Sequence, residues 1–251
     1  ALGVLSQVNL QKISGDLKHL FTPKMLLRYS PTQMRNETTG SRLDTTKAFN
    51  LNRLDNINNS ETGLSATVGF DYKINNDYSN FDFSLAQVIN EKENSKMPSK
   101  SSLDEKLSDL VGSAKLNLGK LSLDYKFNLD QNYSDLNYNE IGTSINFDPI
   151  NFDFDYLQEK KHLGDQEYFK SKVEVKRKND GIFSFQTKRN LITDSAEFYN
   201  LSYEYINDCL RAGIVYRREF YDDSELESEN SLMFKITLSP FASLSSPSFN
   251  N

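Results

Sequence analysis

A two-residue rhythm constrains this chain more than any other feature. Between Leu121 and Asp130, the apolar residues Leu121, Leu123, Tyr125, Phe127 and Leu129 alternate with Ser122, Asp124, Lys126, Asn128 and Asp130. Wound into a helix, these apolar side chains would scatter around the whole circumference. In a strand they all fall on one side. Leu64, Ala66, Val68, Phe70, Tyr72 and Ile74 form a second stripe, and Phe81, Phe83, Leu85 and Ile89 a third. Further stripes start at Leu110, Ile141, Ile150, Val173, Phe183, Tyr199 and Leu210, and the last is Leu232, Phe234, Ile236 and Leu238. With weaker candidates at Val4–Leu10, Met25–Tyr29 and Phe49–Leu51, the pattern predicts about thirteen strands.

The connections carry a second regularity. Tight turns of turn-forming residues are expected at Asn75–Asp77, Gly119–Lys120, Asp148–Pro149, Asn179–Gly181 and Asn207–Asp208. Between them fall longer polar stretches: Pro31–Lys47, Glu91–Asp109, Gln131–Asp135, Lys161–Glu167, Asn190–Glu197 and Tyr221–Ser231. Short and long alternate from residue 74 onward, as in an outer-membrane barrel with short periplasmic turns and longer outer loops. The expected fold is therefore all-β, an antiparallel up-and-down transmembrane β-barrel. By this parity the strand at Leu232–Leu238 runs inward and leaves the C-terminus in the periplasm.

Mean hydropathy of -0.62 would ordinarily point to a soluble protein. Barrel strands alternate lipid-facing and lumen-facing residues, however, so their average is no guide. Seventeen Phe and thirteen Tyr are too many for a disordered chain. A sandwich would have strands of about five or six residues, shorter than these stripes, and the fixed period of a solenoid is missing. The formal charge of -6 disfavours nucleic acid, which calls for a basic surface. Residue 1 is Ala and falls near a candidate strand, and single-chain bacterial barrels have even strand numbers. Residues 1–251 are accordingly expected to be the C-terminal portion of a larger barrel domain.

No catalytic constellation emerges, and an enzyme is not expected. His19 and His162 are far apart in sequence, whereas a zinc site needs three or four clustered ligands. GxSxG, HExxH and Gly-rich phosphate loops do not occur; no cofactor or metal is implied. Asp222, Asp223, Glu225, Glu227 and Glu229 read as a solvated outer loop, with a weak divalent-cation or lipopolysaccharide contact as the alternative. The lone Cys209 faces opposite to Leu210, Ala212 and Ile214, so it points into the lumen at the periplasmic rim. There it is either a packed free thiol or one half of a disulfide with a segment outside this sequence. Tyr199, Tyr203, Tyr205 and Tyr216 suit an interfacial aromatic girdle. The opposite face is polar and mixed in sign, with Lys115, Asp124, Lys126, Asp153, Asp155, Lys172, Lys176, Arg211 and Arg217 expected to line a hydrated lumen.

Phe21–Leu54, reading FTPKMLLRYSPTQMRNETTGSRLDTTKAFNLNRL, resembles the barrel of the lipopolysaccharide-assembly outer-membrane protein family, LptD, in its alphaproteobacterial form. So does Tyr199–Leu238, with LSYEYINDCLRAGIVYRREFYDD and SLMFKITLSPF. The resemblance implies a very large barrel, a periplasmic jellyroll domain, a plug lipoprotein (LptE) in the lumen and a periplasmic bridge protein that delivers lipopolysaccharide. It also implies release of the lipid through a lateral seam between first and last strands, with Leu232, Phe234, Ile236 and Leu238 on the last. Cys209 would then match the family's C-terminal cysteine, whose partner lies in the N-terminal domain; Leu210 stands where many relatives carry a second cysteine. Pro240, just past the last stripe, would shorten pairing at the inner end. A generic porin or transporter barrel is the alternative reading.

Overall fold

The computed structural model describes residues 1–38, 40, 42–54, 56, 58–160, 165–177, 181–206, 210–220, 229–238, 242–245 and 249–250. Among them the regular structure is almost wholly β. The strands are β1 (Leu2–Gln7), β2 (Leu10–Ser14), β3 (Leu17–Ser30), β4 (Gly63–Asn75), β5 (Asn80–Asn90), β6 (Leu110–Leu118), β7 (Leu121–Leu129) and β8 (Leu136–Phe147). They continue with β9 (Ile150–Glu159), β10 (Gln166–Arg177), β11 (Gly181–Asn190), β12 (Ser195–Ile206), β13 (Leu210–Glu219), β14 (Glu229–Leu238), β15 (Ala242–Ser245) and β16 (Phe249–Asn250). One 3-10 turn, Ser99–Ser101, is the sole helical element among the described residues. Strand order follows chain order from β3 to β15, the up-and-down arrangement that the alternating turns predicted. The chain divides into two compact units, Ala1–Ile141 with Leu157–Gln166, and Gly142–Tyr156 with Glu167–Asn251.

In the first unit the register keeps the apolar stripes together. Tyr29 pairs with Leu64, Leu27 with Ala66 and Met25 with Val68. Phe70 pairs with Leu85 and Tyr72 with Phe83, then Phe83 with Ala114 and Ala114 with Tyr125. Directly opposed residues of an antiparallel pair point the same way, so these stripes fuse into one apolar face. Turns at Gly15 and Gly119 take φ of 60° and 63°, the left-handed region that glycine enters without a Cβ penalty. The stripe expected at Val4–Leu10 is divided between β1 and β2, yet both share one register against β3: Gln7 pairs with Lys24 and Leu10 with Phe21. Between them Val8 N–H donates to Pro23 O at 3.3 Å. Proline has no N–H to return the bond, so the ladder breaks there.

One expected strand is absent. Phe49–Leu51 is not paired but lies in a turn, because Asp44 captures the backbone just upstream. Its Oδ1 accepts from the N–H groups of Thr46 and Lys47, both at 2.8 Å, and its carbonyl accepts from Ala48 N–H at 3.0 Å. This is an N-cap on a single helical turn, and it turns Phe49 onto the sheet. The short-and-long alternation therefore starts at Gly15, earlier than the sequence pattern indicated.

In the second unit the same logic holds. Val175 pairs with Phe183, Phe183 with Tyr203 and Phe185 with Leu201. Tyr203 pairs with Ile214 and Ile214 with Phe234. The sheet does not end at β14, as the sequence pattern had it. On its far edge β14 pairs with β15 from Leu238↔Ala242 to Lys235↔Ser245, and with β16 at Leu232↔Phe249 and Ser231↔Asn250. Four and two residues are too short to show as stripes.

Candidate functional site

The two faces of the sheet have exchanged their ordinary roles. Leu64, Val68, Phe183, Leu201, Ile214, Tyr216, Phe234 and Ile236, all stripe members, are exposed. Buried instead are Arg28, Glu37, Arg53, Glu61, Asp109 and Asn128. A water-soluble protein does the reverse, and contiguous exposed apolar surface of this extent marks contact with another apolar phase.

In the first unit the two long connections, residues 31–62 and 91–109, fold over the polar face. Pro31–Lys47 and Glu91–Asp109, expected as long polar connections, belong to these segments, which supply most of the buried apolar cluster: Met34, Leu43, Ala48, Leu54, Met97 and Leu103, against Ala86, Val88 and Val111 of the sheet. Backbone groups of the first segment are satisfied by strand side chains. Asn128 Nδ2 donates to Leu43 O at 2.9 Å, and Thr67 Oγ1 donates to Ala48 O at 2.9 Å. Thr45 and Ser113 hydroxyls lie 3.2 Å apart. Gly69 makes room for this segment, since a Cβ there would sit 2.1 Å from Leu85 O and 3.0 Å from the Phe49 ring.

An ion cluster locks the segment at its end. Arg53 makes a two-pronged contact with Glu61, through Nε at 2.8 Å and through Nη2, which also donates to Ser65 Oγ at 2.8 Å. Arg28, on β3, donates through Nε to Leu51 O at 2.6 Å and through Nη2 to Glu61 O. Its Nη1 stands 3.8 Å from Glu61 Oε1, beyond hydrogen-bond range. Side-chain exposure is 1% for Arg28, 0% for Arg53 and 4% for Glu61. Two buried guanidinium groups thus share one carboxylate. Sequence reading missed all three: a polar stretch looks solvated, and only the alternation of Arg28 with Leu27 and Tyr29 hinted at its face.

Most of the residues expected on the polar face have a partner. Lys115 Nζ meets Asp124 Oδ2 at 3.0 Å, and Lys126 Nζ meets Glu140 Oε2 at 3.1 Å. Asp153 Oδ1 accepts from Ser144 Oγ at 2.6 Å. Asp155 stands 4.0 Å from Lys170, and Lys172 pairs with Glu174. Arg211 Nε meets Glu204 Oε1 at 3.2 Å, and Arg217 pairs with Glu219. Half-exposed pairs of this kind add little stability. What they supply is a hydrated surface of mixed sign. Among the described residues no group of three or more His, Cys, Asp or Glu could hold a metal.

Leu232, Phe234 and Ile236 share the apolar face of β14, opposite Tyr216, Ile214 and Ala212; the backbone of Leu238 pairs with Leu210. Cys209, with the Asn207–Asp208 turn, lies outside the described residues, as do His162, Asn179, Asp222, Asp223, Glu225, Glu227 and Pro240. His19 bonds Tyr72 rather than a ligand set.

Two mutants of Rh. blastica porin superpose with TM-scores of 0.43 and 0.42, at 9% identity, each covering 97% of this chain and 93% of the porin. No curated protein matches the sequence. A family match is stronger: LptD, LPS transport system D, aligns with residues 7–190. That span includes β3 and the inward-folded segment with Arg28, Arg53 and Glu61. An all-β, up-and-down sheet with an exposed apolar face and a polar face is the construction of an outer-membrane barrel protein, and this chain belongs to the LptD family of lipopolysaccharide transport.

Proposed function

We propose that residues 1–251 are the C-terminal portion of the barrel domain of a translocon that assembles lipopolysaccharide into the outer leaflet. The inverted sidedness of the sheet carries the reading, with apolar side chains exposed and charged ones paired or buried on the other face. Lipopolysaccharide has a phosphorylated sugar part and a set of acyl chains. A hydrated polar face, carrying Lys115–Asp124 and Lys126–Glu140 in the first unit and Arg211–Glu204 in the second, suits the first, and the surrounding bilayer takes the second. Backbone groups must stay satisfied in lipid, so the acyl chains can leave only where strand pairing is cheap to break. The far edge of β14 fits that need: it is held by β15 and β16 alone, while its other edge pairs with β13 along its whole length. Leu232, Phe234, Ile236 and Leu238 would then flank the lateral seam.

With short turns in the periplasm, β14 reaches the inner side at Leu238, while β15 and β16 run back along it and bring Phe249–Asn250 beside its outer end; a disulfide from Cys209 to an N-terminal periplasmic domain belongs to the same reading. Family membership supports two protein partners, a plug lipoprotein of the LptE kind and the periplasmic bridge that supplies lipopolysaccharide. The work is transport without covalent chemistry. Depletion of the full protein in its own cells tests this: surface lipopolysaccharide should fall while total lipopolysaccharide persists inside. Unchanged surface lipopolysaccharide, with steady single-channel conductance from the purified protein, would mean a porin instead. Non-reducing gels of the mature protein should show Cys209 bridged, and a free thiol would remove that assignment.

A further inference from the structure

The hairpin of β2 and β3 carries a cleft of about 410 Å³ on the apolar face, next to its Gly15–Asp16 turn. Leu10, Lys12, Ser14, His19, Phe21 and Tyr72 line it. Register explains why they meet: Leu10 is opposite Phe21, Lys12 opposite His19, and Ser14 opposite Leu17, while Phe21 is opposite Tyr72. All therefore point to the side that bears the Leu64–Ile74 stripe. Its aromatic wall is Phe21 and Tyr72, and beyond it the rings continue along the same face, with Phe21 and Phe70 centroids 5.3 Å apart and Phe70 and Phe83 5.8 Å apart. The rim is polar and cationic. His19 Nδ1 is fixed by the Tyr72 hydroxyl at 2.9 Å, which leaves its other ring nitrogen without a partner among the described residues. Lys12 has no ion pair among them.

A lysine on a lipid-facing surface is costly at mid-depth but tolerated at the interface, where it reaches for headgroups. Lys12 and His19 each lie within three residues of the turn, roughly 10 Å of strand, so both sit at headgroup level. Every stripe further along these strands is apolar, as acyl chains require. The geometry points to a built site for one glycerophospholipid of the inner leaflet with an anionic headgroup. Its phosphate would meet Lys12, His19 and the Ser14 hydroxyl, and its acyl chains would lie along Leu10, Phe21 and Phe70. The inference rests on the proposed orientation with short turns in the periplasm, which assigns this end to the phospholipid leaflet.

His19 is its own reporter: in the full protein its imidazole resonance is assigned by NMR as the one that disappears in a His19→Gln variant. The full protein in neutral detergent is titrated with short-chain phosphatidylglycerol, phosphatidylcholine, glycerol phosphate and lipid A, and folding is verified by heat-shifted gel mobility. Phosphatidylglycerol should move the His19 resonance saturably, and Lys12→Glu should weaken that response about tenfold, as expected for losing one charged hydrogen bond. Lys12→Gln serves where the charge reversal does not fold. An equal response to phosphatidylcholine, or none to any lipid, overturns the site. Saturation by glycerol phosphate alone makes it a free-phosphate site, and preference for lipid A moves it to the transported lipid; either overturns the assignment. Lipopolysaccharide delivery is scored separately in cells, so failure of the transport reading and failure of this site give different results.

Discussion

Glu61→Gln probes the inward-folded segment most directly. The substitution keeps size and hydrogen-bonding capacity but removes the one carboxylate that Arg28 and Arg53 share at 1% and 0% side-chain exposure. Breaking a buried pair from one side costs about 3–5 kcal/mol, because the remaining charge has no compensation. Arg53 still reaches Ser65, and Arg28 still reaches two backbone carbonyls. The loss therefore falls on how tightly residues 31–62 are held and not on the ladders of β3 and β4. Amide exchange followed by mass spectrometry in detergent-folded protein reads this locally. Exchange in 31–62 should accelerate by roughly two to three and a half orders of magnitude, while the strand amides of β4 and β5 keep their protection. Arg28→Met, Arg53→Met and Glu61→Met together should be much milder than Glu61→Gln, since replacing a whole buried ion cluster by apolar residues is near neutral. Acceleration below tenfold for Glu61→Gln, or equal acceleration across the strands, would refute the view that this cluster is the clamp on the segment.

Three further outcomes are expected. Leu201→Lys, on the apolar face, should destabilise the bilayer-folded protein by about 2–4 kcal/mol, whereas Asn200→Lys on the polar face should change little; urea titration in vesicles compares them, and similar values for the two would undo the lipid-facing assignment. Thr45→Cys with Ser113→Cys, in a Cys209→Ser background, should crosslink on oxidation because the native hydroxyls are 3.2 Å apart. If 31–62 must shift for lipid to pass, surface lipopolysaccharide should then fall until reductant is added; unimpaired delivery by the crosslinked protein means the segment stays put. Gly69→Ala should cost about 1–3 kcal/mol by overpacking against Leu85 O and Phe49, seen as a lowered unfolding midpoint, and a neutral result would contradict that close approach.

Strand identity and sidedness were legible because alternation at period two survives in every long strand, and the register that joins Leu64 to Tyr29 or Ile214 to Phe234 simply aligns stripes. The ends and the interior were harder. Phe49–Leu51 imitates a strand since Phe49, Asn50, Leu51 and Asn52 alternate; what decides its conformation is the side chain of Asp44, five residues earlier. Arg28, Arg53 and Glu61 look like ordinary surface charges, because compensation between residues 8 to 33 positions apart leaves no local signature. β15 is four residues long, below the length at which alternation means anything. The family signature in Phe21–Leu54 fits this picture, for it is the stretch that runs from β3 into the inward-folded segment and so answers to both faces at once.

The tie from Asn128 to the carbonyl of Leu43 spans 85 positions of chain, and this sets a timetable for biogenesis. Loop closure over such a distance is slow compared with zipping neighbouring hairpins. The Arg28–Arg53–Glu61 cluster and Thr67 can hold the end of residues 31–62 once β3 and β4 are paired, but the tie at Leu43 must wait until β7 has been laid down. Completion of β7, rather than of β4, is the moment at which the segment is held at both Leu43 and Glu61.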